Sequence, residues 1–223
     1  MSLPEDAGEV SLPEVSRETA PSRLRLGELF PGSEREIELY AELLTTVGVE
    51  RGAIGPREAD RIWDRHILNC LRVTEFFEQD AEVIDVGSGA GLPGLVIALA
   101  RPDLKVTLLE PLLRRTVILT EFIEALGIGD RVRVVRARAE DHGGEYRYVT
   151  ARAVARLEKL LPMCWSLLAP GGEFIVLKGV DAVHEVKEAA SLLTRLKAKS
   201  VEVIETAGYP EAPQPGRVIR IER

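Results

Sequence analysis

The chain has 223 residues, 45% of them hydrophobic and 29% charged, an ordinary globular composition that allows one sizeable core with or without a small appendage. No run approaches the roughly twenty apolar residues of a membrane span, no apolar segment behind a basic leader opens the chain, and Cys70 and Cys164 lie far apart, as expected of a cytoplasmic protein with reduced thiols. The net charge of -7 argues against a polyanionic partner only until its distribution is seen, since residues 1–60 hold 13 acidic and 6 basic side chains and residues 61–223 hold 23 of each.

In chain order, residues 1–21 are rich in Glu, Ser and Pro and sparse in large apolar side chains, and are expected to form a disordered tail. Residues 22–79 read as a helical extension. Ser33 is placed as an N-cap with acids in the first turn, Ile37, Tyr40, Leu43, Leu44 and Val47 form one apolar face, and Gly48 is expected to end that helix. A second helix is predicted from Pro56, carrying Ile62, Trp63, His66, Ile67, Cys70, Leu71 and Val73 at three-and-four spacing.

From residue 80 to 223 short apolar runs alternate with helical ones: 82–86, 95–100, 106–109, 112–126, 132–137, 148–150, 154–168, 174–177 and 183–196. That alternation predicts an α/β domain, a doubly wound and mostly parallel sheet with helices on both faces. Arg101-Pro102-Asp103, Gly127 and Ala169-Pro170-Gly171-Gly172 are expected to close successive helices. After 201–205 only a proline-rich loop leads to 218–221, so the last strand should run antiparallel to its neighbour. Residues 131–160 hold eight basic and four acidic side chains; a phosphate-binding face is compatible with that, while charge alone favours a solvated surface of alternating charge.

The segment VIDVGSGAGLPG, Val83 to Gly94, falls where such a sheet binds its ligand, after the first strand. Its glycines open the backbone to contact, and Pro93 is expected in the first turn of the following helix. Gly89, Gly91 and Gly94, with Glu110 21 residues beyond Gly89, satisfy a dinucleotide fingerprint. Asp85-x-Gly87-x-Gly89-x-Gly91 resembles the first motif of class I S-adenosylmethionine methyltransferases. The acid decides between them, because a carboxylate at the mouth of the loop would repel a pyrophosphate and attract an ammonium and a sulfonium. Glu110, ending the second strand, is expected to accept from both ribose hydroxyls. Ala139 and Glu140, after the third strand, stand where such enzymes contact adenine.

A closer resemblance rests on DVGSGAGLPGLVIALARPDLKVTLLEPLLRRTVIL, RARAED, YVTARAVARLEKLLPMC, LLAPGGEFIVLKG and WDRHILNC. Together they resemble the bacterial small-subunit ribosomal RNA methyltransferase G family, also called glucose-inhibited division protein B, over about residues 35–221. The resemblance implies a Rossmann-like class I fold, S-adenosyl-L-methionine as cofactor, and methylation of N7 of a guanosine in the decoding region of 16S ribosomal RNA. It implies further that Gly87 and Leu92 line the cofactor pocket, that Ala139 and Glu140 border the adenine, and that Arg152 reaches the methionine end or the incoming base. The chain departs from the family at Cys70, where serine is usual, and in its first twenty residues.

Guanine N7 has a lone pair and no proton, so transfer needs positioning rather than a base. The chain fits that economy, with no Asn/Asp-Pro-Pro-Tyr string and with Cys164 and Cys70 reading as core fillers. Arg152, Arg65 and His66 are the candidate catalytic residues; His66 reads equally as a packed histidine. Arg114, Arg115, Arg156 and Lys178 are candidate RNA contacts, the first two equally solvated and Lys178 equally structural. No metal is expected. The partners expected are 16S ribosomal RNA or the small ribosomal subunit, met by a monomer without a membrane.

Overall fold

The computed structural model describes residues 20–152 and 154–223, so the expected tail lies outside it but for its last two residues. Ser22 caps a first helix, α1 (Arg23–Leu29), its hydroxyl accepting from the Arg25 amide. α2 (Glu34–Leu43) starts after Ser33 with Glu34 and Glu36 in its first turn, where acids meet the positive end of the helix dipole. The Ser33 side chain makes no capping bond.

The helix does not stop at Gly48 as expected. It widens into a π turn over Leu44–Gly48 and continues to residue 50. Thr45 and Thr46 donate their hydroxyls to the carbonyls of Ala41 and Glu42, a back-bonding that loosens the ladder. The Gly48 carbonyl then takes the amides of Ala53 and Ile54 and turns the chain. The predicted second helix is likewise a relay of three short pieces, a 3-10 turn over Pro56–Arg61, a π turn over Ile62–Ile67 and α3 (Leu68–Leu71). π turns often mark functional positions, and this one carries Arg65 and His66.

Every apolar run of the second part that was read as a strand becomes one: β1 (Glu82–Val86), β2 (Lys105–Leu109), β3 (Val132–Val135), β4 (Tyr146–Arg152), β5 (Leu168–Lys178), β6 (Ser200–Thr206) and β7 (Gly216–Glu222). They form one sheet in the order β3-β2-β1-β4-β5-β7-β6. The first five are parallel, and β7 runs antiparallel between β5 and β6. Crossovers are supplied by α4 (Gly94–Ala100), α5 (Leu113–Leu126), α6 (Leu157–Cys164) and the pair α7 (Ala182–Glu188) and α8 (Ala190–Leu196). Gly127 caps α5 at φ 66°, a left-handed position suited to glycine. Ala169 to Gly172 closes no helix. It forms an irregular start of β5, where the register jumps from Tyr146 opposite Leu168 to Tyr148 opposite Glu173.

Both faces of the sheet are buried at β1, β2, β4 and β5, which is why these strands are nearly continuous apolar runs. Val83, Val106, Leu108, Tyr148 and Ile175 pack with α2 to α5, while Ile84, Val86, Val149, Phe174 and Ile219 pack with α6 to α8. Leu26, Phe30, Ile37, Tyr40 and Trp63 belong to the first of these clusters, so the helical lead-in shares the core of the sheet. Buried Arg72 reinforces the join, donating to the carbonyls of Ala207 and Gln214 and to the Thr206 hydroxyl.

Candidate functional site

Strand order reverses between β1 and β4, so the crevice over their carboxyl ends is where a ligand of this fold sits. The loop after β1 supplies its floor. Gly87, Gly89 and Gly91 have φ of 71°, 60° and 97°, angles that side chains resist. The Gly87 amide donates to the Leu109 carbonyl at 2.8 Å, tying the loop to β2. Tyr40, from the lead-in, donates its hydroxyl to the Ala90 carbonyl at 2.9 Å. Pro93 stands at the N-cap of α4 rather than in its first turn.

Asp85 is not at the open mouth of the loop, as the sequence reading had it, but fully buried beneath it. Its Oδ2 accepts from the Gly94 amide at 3.0 Å, and its Oδ1 has no partner among the described residues. Burial pushes the carboxyl up to about 7, against the Gly94 bond that favours the charge. The shift is worth roughly 4 kcal/mol. Because the folded protein holds this proton more tightly than the unfolded chain, stability from Asp85 is lost as pH rises from about 4 to about 7. Asp85→Asn keeps an acceptor for Gly94 and removes the charge. Its melting temperature should therefore gain on the wild type steadily between pH 5 and 7.5 in the unliganded protein. A constant difference across that range would refute the assignment.

Glu110 is also buried, and both of its oxygens are engaged: Oε2 accepts from the Gly89 amide at 3.0 Å and Oε1 from the Leu112 amide at 2.9 Å. Arg115 Nη1 lies 3.8 Å from Oε2. The carboxylate thus shapes the loop it faces, and each oxygen keeps a second lone-pair site.

The far wall is a chain of side chains from four elements. Arg152, the last residue of β4, directs Nη2 to His66 Nδ1 at 2.7 Å and to the Arg65 carbonyl at 3.3 Å, and Nη1 to Cys70 Sγ at 3.3 Å. His66 Nε2 in turn meets Glu58 Oε2 at 2.8 Å. A carboxylate only accepts, so Nε2 carries the proton and Nδ1 is the acceptor for Arg152. Burial and the Arg152 charge hold the imidazole below its ordinary range, consistent with that neutral tautomer. The Arg65 side chain is half exposed and pairs with Glu58 at 3.2 Å.

The loop and this wall enclose a cavity of about 210 Å³ whose lining includes Ile54, His66, Gly87, Leu92, Arg115 and Arg152. A second cavity of about 330 Å³ also has Arg152 in its lining. The expected residues Asp85, Gly87, Gly89, Gly91, Leu92, Glu110, His66 and Arg152 thus meet at one edge. Ala139 is buried in the core with Leu109, and Glu140 beside it is exposed and lines neither cavity. Arg114 is exposed with no partner among the described residues, while Arg156 pairs with Glu188 on the surface. Lys178 is held by Glu185 at 2.7 Å and the Ala155 carbonyl at 2.8 Å, which favours its structural reading. Glu58 went unread, since its partnership with His66 eight positions on depends on the 3-10 and π winding between them. Glu185 carries no local mark in the sequence, and Asn69 lies in the WDRHILNC segment with no role assigned to it.

The profile of GidB, rRNA small subunit methyltransferase G, matches residues 33–211. The chain is 51% identical over 189 residues to the ribosomal RNA small subunit methyltransferase G of Thermobifida fusca, covering 84% of this chain and 78% of that protein. It is 47% identical over 211 residues to that of Rhodococcus jostii, covering 92% and 90%. Among solved structures, a chain of Methanococcus maripaludis assigned to the S-adenosyl-L-methionine-dependent methyltransferases superposes with a TM-score of 0.57 at 15% identity, over 83% of this chain and 91% of that one. An S-adenosylmethionine-dependent O-methyltransferase of Thermotoga maritima gives 0.53 at 20% identity, over 70% and 64%. The structural likenesses carry the class I fold, the family profile and the relatives carry the rest, and the chain belongs to the GidB family, rRNA small subunit methyltransferase G.

Proposed function

We propose that this chain is an S-adenosylmethionine-dependent methyltransferase that methylates N7 of a guanosine in the decoding region of 16S ribosomal RNA. The observation that carries the reading is the family match over residues 33–211, which spans the whole of the Gly87 loop and Arg152.

The residues fit the cofactor. A Cβ on Gly87 would lie 2.7 Å from a Val154 methyl, so that position is kept open, and the unpartnered Asp85 oxygen beneath the loop favours a nearby cation. Gly87, Gly89, Gly91 and Leu92 would hold it, Glu110 would accept from its ribose through its unused lone pairs, and Ala139 and Glu140, which line neither cavity, would border an adenine that extends beyond them. When bound, it supplies an electrophilic methyl group. The protein's part is positioning: Arg152, held by His66 and Cys70, orients the acceptor base or the cofactor carboxylate with its planar fork. No side chain needs to remove a proton, since the N7 lone pair attacks directly.

Arg114, Arg115 and Arg156 would contact the RNA backbone around the cleft, and activity would fall with added salt as counterions are released. The reading has the protein act as a monomer, in the cytoplasm where ribosomes assemble. The reading is tested by mapping 7-methylguanosine in 16S ribosomal RNA from cells lacking this protein. The expected result is one missing modification, restored when the purified protein and cofactor are added to small subunits. A full complement of 7-methylguanosine in those cells would overturn it and leave a small molecule or a protein as acceptor.

A further inference from the structure

The second cavity is not needed by the cofactor reading and has a lining of its own. It measures about 330 Å³ and is bounded by Asn69 of α3, Arg152 at the end of β4, Leu177, Lys178 and Gly179 at the end of β5, and Glu185 of α7. Arg152 is the one residue common to both linings, so the two cavities adjoin at its side chain.

The wall contains a buried ion pair. The side chains of Lys178 and Glu185 are only 10% and 12% exposed and meet at 2.7 Å. Glu185 Oε2 also accepts from the Leu157 amide at 2.8 Å, capping α6, and Lys178 donates to the Ala155 carbonyl. These bonds fix both groups and leave valence over. Among the described residues Glu185 Oε1 has no hydrogen-bond partner, and an ammonium has three protons of which two are placed. Neither group counts among the buried polar atoms without a partner, so the valences left over open on the cavity.

Guanine presents two adjacent donors, N1–H and N2–H, beside the acceptor O6. A carboxylate next to an ammonium, with the Asn69 amide and Arg152 nearby, matches that order of donors and acceptors. Adenine reverses it, setting an N1 lone pair against the carboxylate and a donor where O6 would be. We infer that this cavity is the acceptor-base pocket, entered by a flipped-out guanine, and that Glu185 selects guanine by accepting from N1–H and N2–H. The inference rests on the proposed function and adds the residues that choose the base. With its donor edge on Glu185, the base keeps N7 off the carboxylate, free to face the Arg152 side where the glycine loop lies. Extrusion of the base from its stack is what a pocket of this kind requires of RNA.

The test titrates guanosine, inosine and adenosine 5′-monophosphates into the protein by NMR, with S-adenosylhomocysteine saturating so that none enters the glycine-loop cavity. Inosine lacks only the N2 amine. Wild type should bind guanosine monophosphate about tenfold tighter than inosine monophosphate, the scale of one hydrogen bond to a charged group, and adenosine monophosphate more weakly still. Glu185→Gln keeps an oxygen for Leu157 and Lys178 and puts a donor in place of Oε1, so the guanosine preference should vanish, with a fall in melting temperature because the buried Lys178 ammonium loses its counter-charge. Equal binding of the three nucleotides, no binding of guanosine monophosphate, or a preference that survives Glu185→Gln would each overturn the assignment, and the first two need no variant to fold. Labelled-methyl transfer to small subunits, run beside it, separates the two readings. Transfer without base discrimination sinks the pocket alone; discrimination without transfer sinks the ribosomal substrate and leaves a guanine site for another acceptor.

Discussion

Gly87→Val is expected to lower affinity for S-adenosylhomocysteine on the order of 100-fold, while the circular dichroism spectrum still reports a folded α/β protein. Two costs combine. At φ 71° a β-branched side chain is strained, and a Cβ would stand 2.7 Å from the Val154 methyl, so either Val154 or the loop must yield. Overpacking of this kind costs roughly 1–3 kcal/mol, and the yielding groups move into the space that Gly87 lines. Gly89→Ala is the control. Its Cβ would meet nothing closer than the Gly87 carbonyl at 3.8 Å, so it bears only the left-handed backbone penalty of about 1 kcal/mol and should bind far better than Gly87→Val. Calorimetric titration of the two variants decides the matter: equal affinities would mean that Gly87 is not part of the cofactor cradle.

Arg152→Ala should reduce the single-turnover rate of methyl transfer by about 10²- to 10³-fold, the scale of losing one preorganised donor in an active site, with a smaller effect on RNA affinity. The side chain lines both cavities and is held at three points, by His66 Nδ1, the Arg65 carbonyl and Cys70 Sγ. His66 acts through Arg152 and is a positioning residue, as is Glu58 behind it. Their loss should cost up to about 10²-fold, the scale of a misplaced reactant. The pH profile separates positioning from packing. The groups facing His66 are Glu58, Arg65 and Arg152, and burial with Arg152 keeps its pKa below the ordinary value. Protonation would put a proton on Nδ1 against the Arg152 donor, so with cofactor and RNA saturating the rate should fall only below about pH 6.5 and stay flat to about pH 9. If Arg152→Ala instead weakens RNA binding alone and shallows the salt dependence, Arg152 is a phosphate tether.

Much of the site was legible because its chemistry is written locally. Asp85, Gly87, Gly89, Gly91 and Leu92 lie within eight positions of one another, and Glu110 ends the next strand. What was illegible came from long-range packing. No spacing rule reveals that Asp85 ends up fully buried under the Gly94 amide, because its depth depends on how α4 settles over β1. Nor could the sequence tell that both Glu110 oxygens are already occupied by loop amides, or that Lys178 is tied to Glu185 rather than free.

By itself the sequence determined the alternation of strands and helices, the antiparallel last strand and the place of the ligand loop, because period, glycine position and connection length act over a few residues and need no partner. The tertiary structure alone decided the winding of the lead-in into 3-10, π and α turns, which brings Glu58 and His66 onto Arg152 across more than eighty positions of chain. It alone decided as well that Asn69, Arg152, Lys178 and Glu185 bound one cavity. These arrangements follow from which faces the shared core buries, and a buried face is a property of all the elements packed against it.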